Sequence, residues 1–207
     1  MIAGLEMMPT GGIASAMAVL NPTIVKAIKA NGLLKEGHFA YRSGQHSHWL
    51  IDRDQLLTEP EFASHLGYAI AKRFFTDKID TVATPSIWGA GVAQWIAYFL
   101  EPRARIVHAT LIDGEPTVAP ILEGLVRDKR LLLCDNLIMS GVTMTKFTRV
   151  IDGLGGRVVG VATIWNSQGD QIGGHPVFGL LNSLYEPRHP DDCELCARGV
   201  PVEHIPY

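Results

Sequence analysis

The residues best suited to chemistry lie in one segment, residues 130–143, which reads RLLLCDNLIMSGVT. An apolar run leads into Asp135, and Ser140, Gly141 and Thr143 follow just before a helical pattern. A helix N-terminus offers unpaired N–H groups and the positive end of the helix dipole to a phosphate, and hydroxyl side chains add donors. Asp135, at the expected tip of a strand, is placed to accept hydrogen bonds from sugar hydroxyls. The segment predicts a site for a phosphorylated sugar, with simple turn and capping roles for these residues as the alternative.

A second group of reactive residues lies near the C-terminus, where Cys193 and Cys196 have the spacing of metal ligands and His189 and His204 are nearby. Four such ligands could hold a zinc ion tetrahedrally, and the same cysteine spacing occurs in redox pairs. We favour a structural tail and assign no metal ligand. Cys134 lies inside an apolar run and is interpreted as a core residue.

Other conspicuous side chains have ordinary interpretations. His46 and His48 flank Ser47 in a loop-like segment and are interpreted as surface or packing residues rather than general bases. Trp88 is interpreted as a local packing residue.

The elements that must position these residues alternate between strands and helices. Helical patterns cover residues 59–74, 91–100 and 144–156, and strand-like runs cover 79–84, 104–110, 130–135 and 157–165, with a loop expected at 111–127. This order predicts an α/β fold with a mostly parallel sheet. Ligands of such sheets bind at the carboxyl ends of the strands, which here are Thr84–Gly91, His108–Gly114 and Asp135–Thr143.

Composition narrows the class of protein. The chain has 207 residues, 47% of them hydrophobic, and a formal net charge of −3. It suits a single globular domain over residues 1–207, without general attraction to nucleic acid or anionic membrane. The first 20 residues lack the basic start of a signal peptide, no uninterrupted apolar run is long enough to span a membrane, and three cysteines do not form a disulfide framework. We therefore expect a cytoplasmic protein.

Residues 130–143 also resemble the phosphoribosyl diphosphate (PRPP) motif of type I phosphoribosyltransferases. The resemblance extends in order from about residue 37 to residue 203 and is strongest to orotate phosphoribosyltransferases. It rests on four further segments, YRSGQHSHWLID (41–52), ATPSIWGAGVAQWIA (83–97), GGRVVGVATIWN (155–166) and DDCELCARGVPVE (191–203).

The resemblance implies a fold and a set of roles. The fold would be a parallel sheet of about five strands flanked by helices, with a core at about 61–179 and a small hood from about 1–60 and 180–207. Asp135 and Asn136 would hold the ribose as the catalytic pair. The substrate-binding residues would be Arg42, Ser86, Gly89, Met139, Ser140, Gly141, Val142 and Thr143. Mg²⁺ would accompany PRPP, a nitrogenous base would be the second substrate, and the protein would be a homodimer.

The sequence departs from the family at functional positions. Asn136 replaces the second acidic residue of the motif, and the β-branched Val142 would resist a positive φ if the loop required one there. The family's catalytic lysine aligns with Leu111, and residues 108–125 contain no Lys or Arg. Residues 165–167, Trp-Asn-Ser, lack the arginine that holds the orotate carboxylate. Two hypotheses follow: an active transferase, or a catalytically inactive sensor or scaffold that keeps the fold and in some cases the ligand.

Overall fold

The structure is a computed structural model that describes residue 26 and residues 28–30, 32–52, 55, 57–182 and 188–205. The first 25 residues, which the sequence assigns to the hood, lie outside this range. No helix among the described residues is long and apolar enough to span a membrane.

A six-stranded sheet organises the core. The strands of the chain are β1 Leu34–Ala40, β2 His46–Ile51, β3 Thr81–Thr84, β4 Arg105–His108, β5 Thr110–Ile112, β6 Glu115–Thr117, β7 Arg130–Ile138, β8 Arg157–Asn166, β9 Gln171–Ile172, β10 His175–Asn182 and β11 Glu203–His204. The central sheet has the order β4-β3-β7-β8-β10-β9, in which the first five are parallel and the short β9 is antiparallel to β10. The predicted parallel sheet of about five strands is confirmed.

Helices cover both faces of this sheet. They are α1 Pro60–Arg73, α2 Ala90–Phe99 and α3 Val142–Gly153, and a short fourth helix, α4 Glu194–Ala197, lies in the C-terminal tail. Ile70 of α1 and Ile96 of α2 pack with Leu132 in one buried cluster, whereas Phe147 of α3 packs with Leu131 in another. Neighbouring residues of β7 thus enter opposite layers, as strand geometry requires, and this explains the continuous apolar run that precedes Asp135.

A second sheet, hereafter the hood sheet, joins the two ends of the chain. Its order is β11-β1-β2, with β1 antiparallel to β2 and parallel to β11. Residues 188–205 therefore pack against residues 32–52, although the paired residues Phe39 and Glu203 are far apart in sequence. The expected domain limits remain a prediction.

Part of the segment expected to be a loop, residues 111–127, forms regular secondary structure. Strands β5 and β6 form a hairpin with Leu111 opposite Pro116, closed by Asp113 and Gly114 at φ values of 51° and 78°. Two consecutive positive φ values are the mark of a two-residue hairpin turn, and Asp-Gly favours it. The expectation of a loop was wrong here because this turn signal was overlooked.

Candidate functional site

A cavity of about 250 Å³ opens at the carboxyl ends of β3 and β7. It is lined by Ser86, Trp88, Leu111, Asp135, Asn136, Leu137, Ile138, Met139, Ser140, Gly141, Thr143 and Met144. Seven predicted substrate-binding or catalytic residues line it, namely Ser86, Asp135, Asn136, Met139, Ser140, Gly141 and Thr143. Arg42, Gly89 and Val142 do not.

The strand that carries Asp135 is longer than the sequence indicated. It continues to Ile138 because β8 remains its partner, with Ile138 opposite Asn166, whereas β3 pairs with it only as far as Leu133. Asp135 is therefore not at the strand tip. It lies on the stretch of β7 that has lost its neighbour on the β3 side, and this opens the cleft there.

Asp135 and Asn136 both line the cavity. They can do so because the regular alternation of side chains between the two faces of β7 is broken between Cys134 and Leu137. These two flanking residues, three positions apart, pack in the same apolar cluster, whereas a regular strand would place them on opposite faces. Two adjacent polar side chains are thereby available to one ligand. The expected pairing of the two residues at one site is consistent with this geometry.

The hydrogen bonds of this pair leave one side-chain oxygen, Asn136 Oδ1, without a partner among the described residues. The Asn136 amide donates to Asp135 Oδ1 at 2.8 Å, and the Asn136 carbonyl accepts from Thr163 Oγ1 at 2.9 Å. Asn136 is only 6% exposed, and its Oδ1 is buried with it. A buried amide oxygen without a partner is costly, so it is suited to accept a hydrogen bond from a bound hydroxyl or water.

Cys134, directly before this pair, is a core residue as predicted. It is fully buried in the cluster that includes Leu132. Burial, followed by the neighbouring charge of Asp135, raises the pKa of the Cys134 thiol well above its usual range. The thiol therefore stays protonated and acts as an apolar side chain.

The turn from β7 into α3 has the form expected of a phosphate site. Met139, Ser140 and Gly141 make the turn, and α3 starts at Val142. The N-cap residue Gly141 offers no side-chain cap, and the Val142 amide donates to Ser140 Oγ at 3.5 Å. The left-handed residue is Gly141, at φ 70°. The concern that Val142 would have to adopt a positive φ was thus misplaced. Val142 lies in the first turn of the helix and is exposed.

The turn is held from behind by the loop that follows β8. Ser167 Oγ donates to the carbonyl oxygens of Ile138, at 3.0 Å, and Met139, and Gln168 Nε2 donates to the Met139 carbonyl as well. Asn166 shapes this loop, since its side chain accepts from the Gln168 amide at 3.0 Å and donates to the Gly169 carbonyl at 3.0 Å. These polar residues stabilise the turn, a role that the sequence analysis did not foresee.

The opposite wall of the cavity is the Pro85–Gly91 loop. Ser86 is buried and lines the cavity, and its carbonyl accepts from Thr84 Oγ1 at 3.2 Å. Gly89 is a buried residue of this loop. A Cβ at this position would be 2.0 Å from Thr84 Oγ1 and 3.1 Å from Asp135 Oδ1. The absence of a side chain thus lets the loop approach Asp135 closely. Trp88 is 64% exposed and lines the cavity wall, and its interpretation as a local packing residue stays a prediction.

The cavity is lined by one carboxylate, that of Asp135, and by no Lys or Arg among the described residues. Leu111, the residue expected from the sequence to align with the family's lysine, also lines it. Lys146 of α3 is the nearby cation on the hairpin side, but it pairs with Glu115 of β6. Arg42 is exposed in the turn between β1 and β2 and does not line the cavity. A cation for an anionic leaving group is thus missing from the described lining.

The cysteine pair near the C-terminus has different neighbours from those expected. His38 and His46 place ring nitrogens beside the sulfur atoms of Cys193 and Cys196, and the four ligand atoms all lie within 4.8 Å of one another. The two histidines close in sequence, His189 and His204, are exposed and lie outside the cluster. His46 is therefore buried beside the tail, and His48 is half-buried in β2.

Comparison with known proteins agrees with this geometry. The family model for the phosphoribosyl transferase domain matches residues 52–174. An orotate phosphoribosyltransferase of Thermus thermophilus is 32% identical over 189 residues, covering 88% of this chain and 99% of that protein. The orotate phosphoribosyltransferase of Carboxydothermus hydrogenoformans is 31% identical over 174 residues, covering 82% and 88%.

Solved structures share the fold at low sequence identity. The orotate phosphoribosyltransferase of Aeropyrum pernix superposes with a TM-score of 0.60 at 18% identity, covering 77% of this chain and 93% of that one. That of Mycobacterium tuberculosis in complex with PRPP gives 0.57 at 15% identity, covering 82% and 95%. From its sequence matches and its fold together, the chain belongs to the phosphoribosyltransferase family and is similar within it to the orotate phosphoribosyltransferases.

Proposed function

We propose that this chain is an active phosphoribosyltransferase that moves a 5-phosphoribosyl group between PRPP and a nitrogenous base. The observation that carries the proposal is the cavity itself. Asp135, Asn136 and the start of α3 line one side of it, and the glycine-containing loop at Ser86 lines the other. A sugar flanked by two phosphate groups needs this arrangement of one polar centre between two anion sites.

Each part of the cavity has a proposed role. Asp135 and Asn136 Oδ1 accept hydrogen bonds from the ribose hydroxyls. The amides at the start of α3, with the Ser140 and Thr143 hydroxyls, bind the 5′-phosphate. The Pro85–Gly91 loop faces the diphosphate. The reaction needs no protein nucleophile, because diphosphate departs as positive charge develops on the ribose, and the protein contributes position and charge.

The residues present fit a magnesium ion bound together with the substrate. Mg²⁺ prefers oxygen ligands, keeps several waters and commonly uses one or two carboxylates with substrate phosphates. Asp135 supplies one carboxylate, and the Asn136 oxygen has no partner among the described residues. When bound, the ion would neutralise charge on the diphosphate. Asp135 would orient the ribose and offset the positive charge that develops on it.

Orotate is the base named for the curated relatives, and we propose it as the first base to test. Its carboxylate requires a cation, yet Asn166 and Ser167 are occupied in holding the phosphate turn. If orotate is the base, we propose that Arg42 of the hood sheet, which is exposed and close in sequence to β2, approaches it in the complex. An uncharged base would need no such movement.

We also propose that the active form is a homodimer. Four apolar residues beside the cavity are exposed on the single chain, namely Ile87, Trp88, Leu111 and Ile112. Apolar side chains grouped on a surface favour association with another protein. Light scattering after size exclusion would give the mass directly, and a monomer at assay concentration would contradict this part of the proposal.

The test is diphosphate release from PRPP and Mg²⁺ against a panel of bases that includes orotate, uracil and purines. The wild type is compared with Asp135→Asn, which keeps the size of the side chain and an acceptor for the Asn136 amide. We expect release with one base in the wild type and a large loss in the variant. Release that depends on no base, or that Asp135→Asn leaves unchanged, would contradict the proposal.

A second candidate is a protein that binds PRPP or a nucleotide without turnover. The observation that favours it is the hairpin at the cavity, where the lining residue is Leu111 and where Glu115 pairs with Lys146 of α3. Saturable binding of PRPP with no release for any base would support this candidate and exclude the first.

A further inference from the structure

Four metal-ligating side chains meet between the hood sheet and the C-terminal tail, at a place remote in sequence from the substrate cavity. His38 lies on β1, His46 begins β2, and Cys193 and Cys196 flank the start of α4. Their exposures are 4%, 8% and 3% for the first three, and Cys196 is half-buried. Buried polar groups of this kind need partners, and here they find them chiefly in one another.

The separations within the cluster fit the edges of a tetrahedron. His38 Nε2 lies 3.5 Å from both sulfur atoms and 2.9 Å from His46 Nδ1, and Cys196 Sγ lies 3.2 Å from His46 Nδ1. Zinc bonds of about 2.3 Å to sulfur and about 2.0 Å to nitrogen give tetrahedral edges of about 3.5 Å between unlike ligands. All six separations are within 4.8 Å, so a shift of about 1 Å closes the set on one ion.

The orientation of one histidine is fixed by an outer hydrogen bond. His38 Nδ1 lies 2.9 Å from the carbonyl oxygen of Val200. A carbonyl only accepts, so Nδ1 carries the hydrogen and Nε2 directs its lone pair at the other three ligands. Metal-bound histidines characteristically donate their second ring N–H to a carbonyl or carboxylate in this way.

We propose that His38, His46, Cys193 and Cys196 bind one structural zinc ion. Two thiolates with two imidazoles match the preference of zinc, and oxygen-seeking ions such as Mg²⁺ are excluded by the lack of carboxylate ligands in the cluster. Four protein ligands leave no open position for substrate, so the site is structural rather than catalytic.

The ion would fasten the tail of the chain to the hood sheet. It would add to the other contacts between them: β11 pairs with β1, His46 and Arg188 exchange two backbone hydrogen bonds, and the Ile205 amide donates to the Ala40 carbonyl. The ligands are 155 positions apart between His38 and Cys193 and 150 between His46 and Cys196. Ligands this far apart in sequence come together only when the chain folds, so binding of the ion would stabilise the folded state.

The first test is metal analysis of the full-length protein, purified without a polyhistidine tag or a chelating column. Inductively coupled plasma mass spectrometry should find about one zinc ion per chain. A chelator should lower the melting temperature, and added zinc should restore it. Replacement by Co²⁺ should give the visible absorption bands of a tetrahedral site and the near-ultraviolet charge-transfer bands of thiolate ligands.

The variants Cys196→Ser and His38→Gln should lower zinc content by about tenfold or more. His189→Gln and His204→Gln are matched controls, because both histidines are near in sequence but outside the cluster, and they should keep full zinc. A folded wild type that binds no zinc or cobalt would overturn the proposal. So would a native disulfide between Cys193 and Cys196, detected by intact mass, or equal zinc loss in the two controls.

Discussion

Replacing Leu111 by lysine should increase diphosphate release. Leu111 lines the cavity, is 43% exposed and lies on the β5–β6 hairpin, which we propose faces the diphosphate. The described lining contains no Lys or Arg, so negative charge on the departing diphosphate has no protein cation. Leu111→Lys would add one without removing a buried side chain, and we expect little change in stability.

The size of the gain follows from Coulomb's law. A unit charge about 5 Å from the additional negative charge on diphosphate contributes about 3 kcal/mol at an effective dielectric constant of about 20. Lysine on an exposed hairpin is screened and mobile, which reduces this to about 1.5 kcal/mol. Stabilisation raises kcat only where it acts on charge that develops in the transition state. A barrier lowered by about 1.5 kcal/mol corresponds to an increase in kcat of roughly tenfold.

The assay is steady-state diphosphate release at saturating PRPP, Mg²⁺ and base. Ile121→Lys is the matched control, because Ile121 is exposed, does not line the cavity and lies outside the apolar group proposed for the dimer. It should leave kcat within about twofold of the wild type. Equal kcat values for the two variants, with PRPP binding retained, would refute the view that a missing cation limits the reaction.

Three further predictions concern the walls of the cavity. Asp135→Asn should weaken PRPP binding by about 10- to 100-fold, as expected for loss of charge-assisted hydrogen bonds, measured by calorimetry. Gly89→Ala should lower the free energy of unfolding, measured by urea denaturation, by about 1–3 kcal/mol, because the new Cβ would lie 2.0 Å from Thr84 Oγ1. Its control is Gly153→Ala, whose Cβ would meet nothing within 4 Å and which should leave stability unchanged or increase it. Ser167→Ala should cost about 1 kcal/mol of unfolding free energy and also weaken PRPP binding, whereas a stability loss with unchanged binding would refute its role in positioning the phosphate turn.

The elements of the core were predictable because their patterns are local. The apolar run before Asp135 indicated a strand buried on both faces, and the glycines after residue 153 indicated the end of α3. The extension of β7 to Ile138 was not predictable in this way. It depends on the length of β8, which only the paired sheet reveals.

The parts of the site that the sequence did not reveal depend on tertiary contacts. Nothing local relates Ser167 to the carbonyl of Met139. The positive φ of Gly141, in contrast, agrees with the ordinary preference of glycine. The ligands of the proposed zinc site come from opposite ends of the chain. The spacing of Cys193 and Cys196 marked the pair, but their histidine partners are brought to them by the hood sheet.

The most direct test of the central claim is calorimetric titration of PRPP with Mg²⁺ into the wild-type protein, followed by competition with ribose 5-phosphate. The account predicts saturable binding at one site per chain, with ribose 5-phosphate displacing PRPP because its phosphate occupies the start of α3. Absence of binding at millimolar PRPP, or binding that ribose 5-phosphate does not affect, would contradict the assignment of this cavity to the phosphoribosyl group.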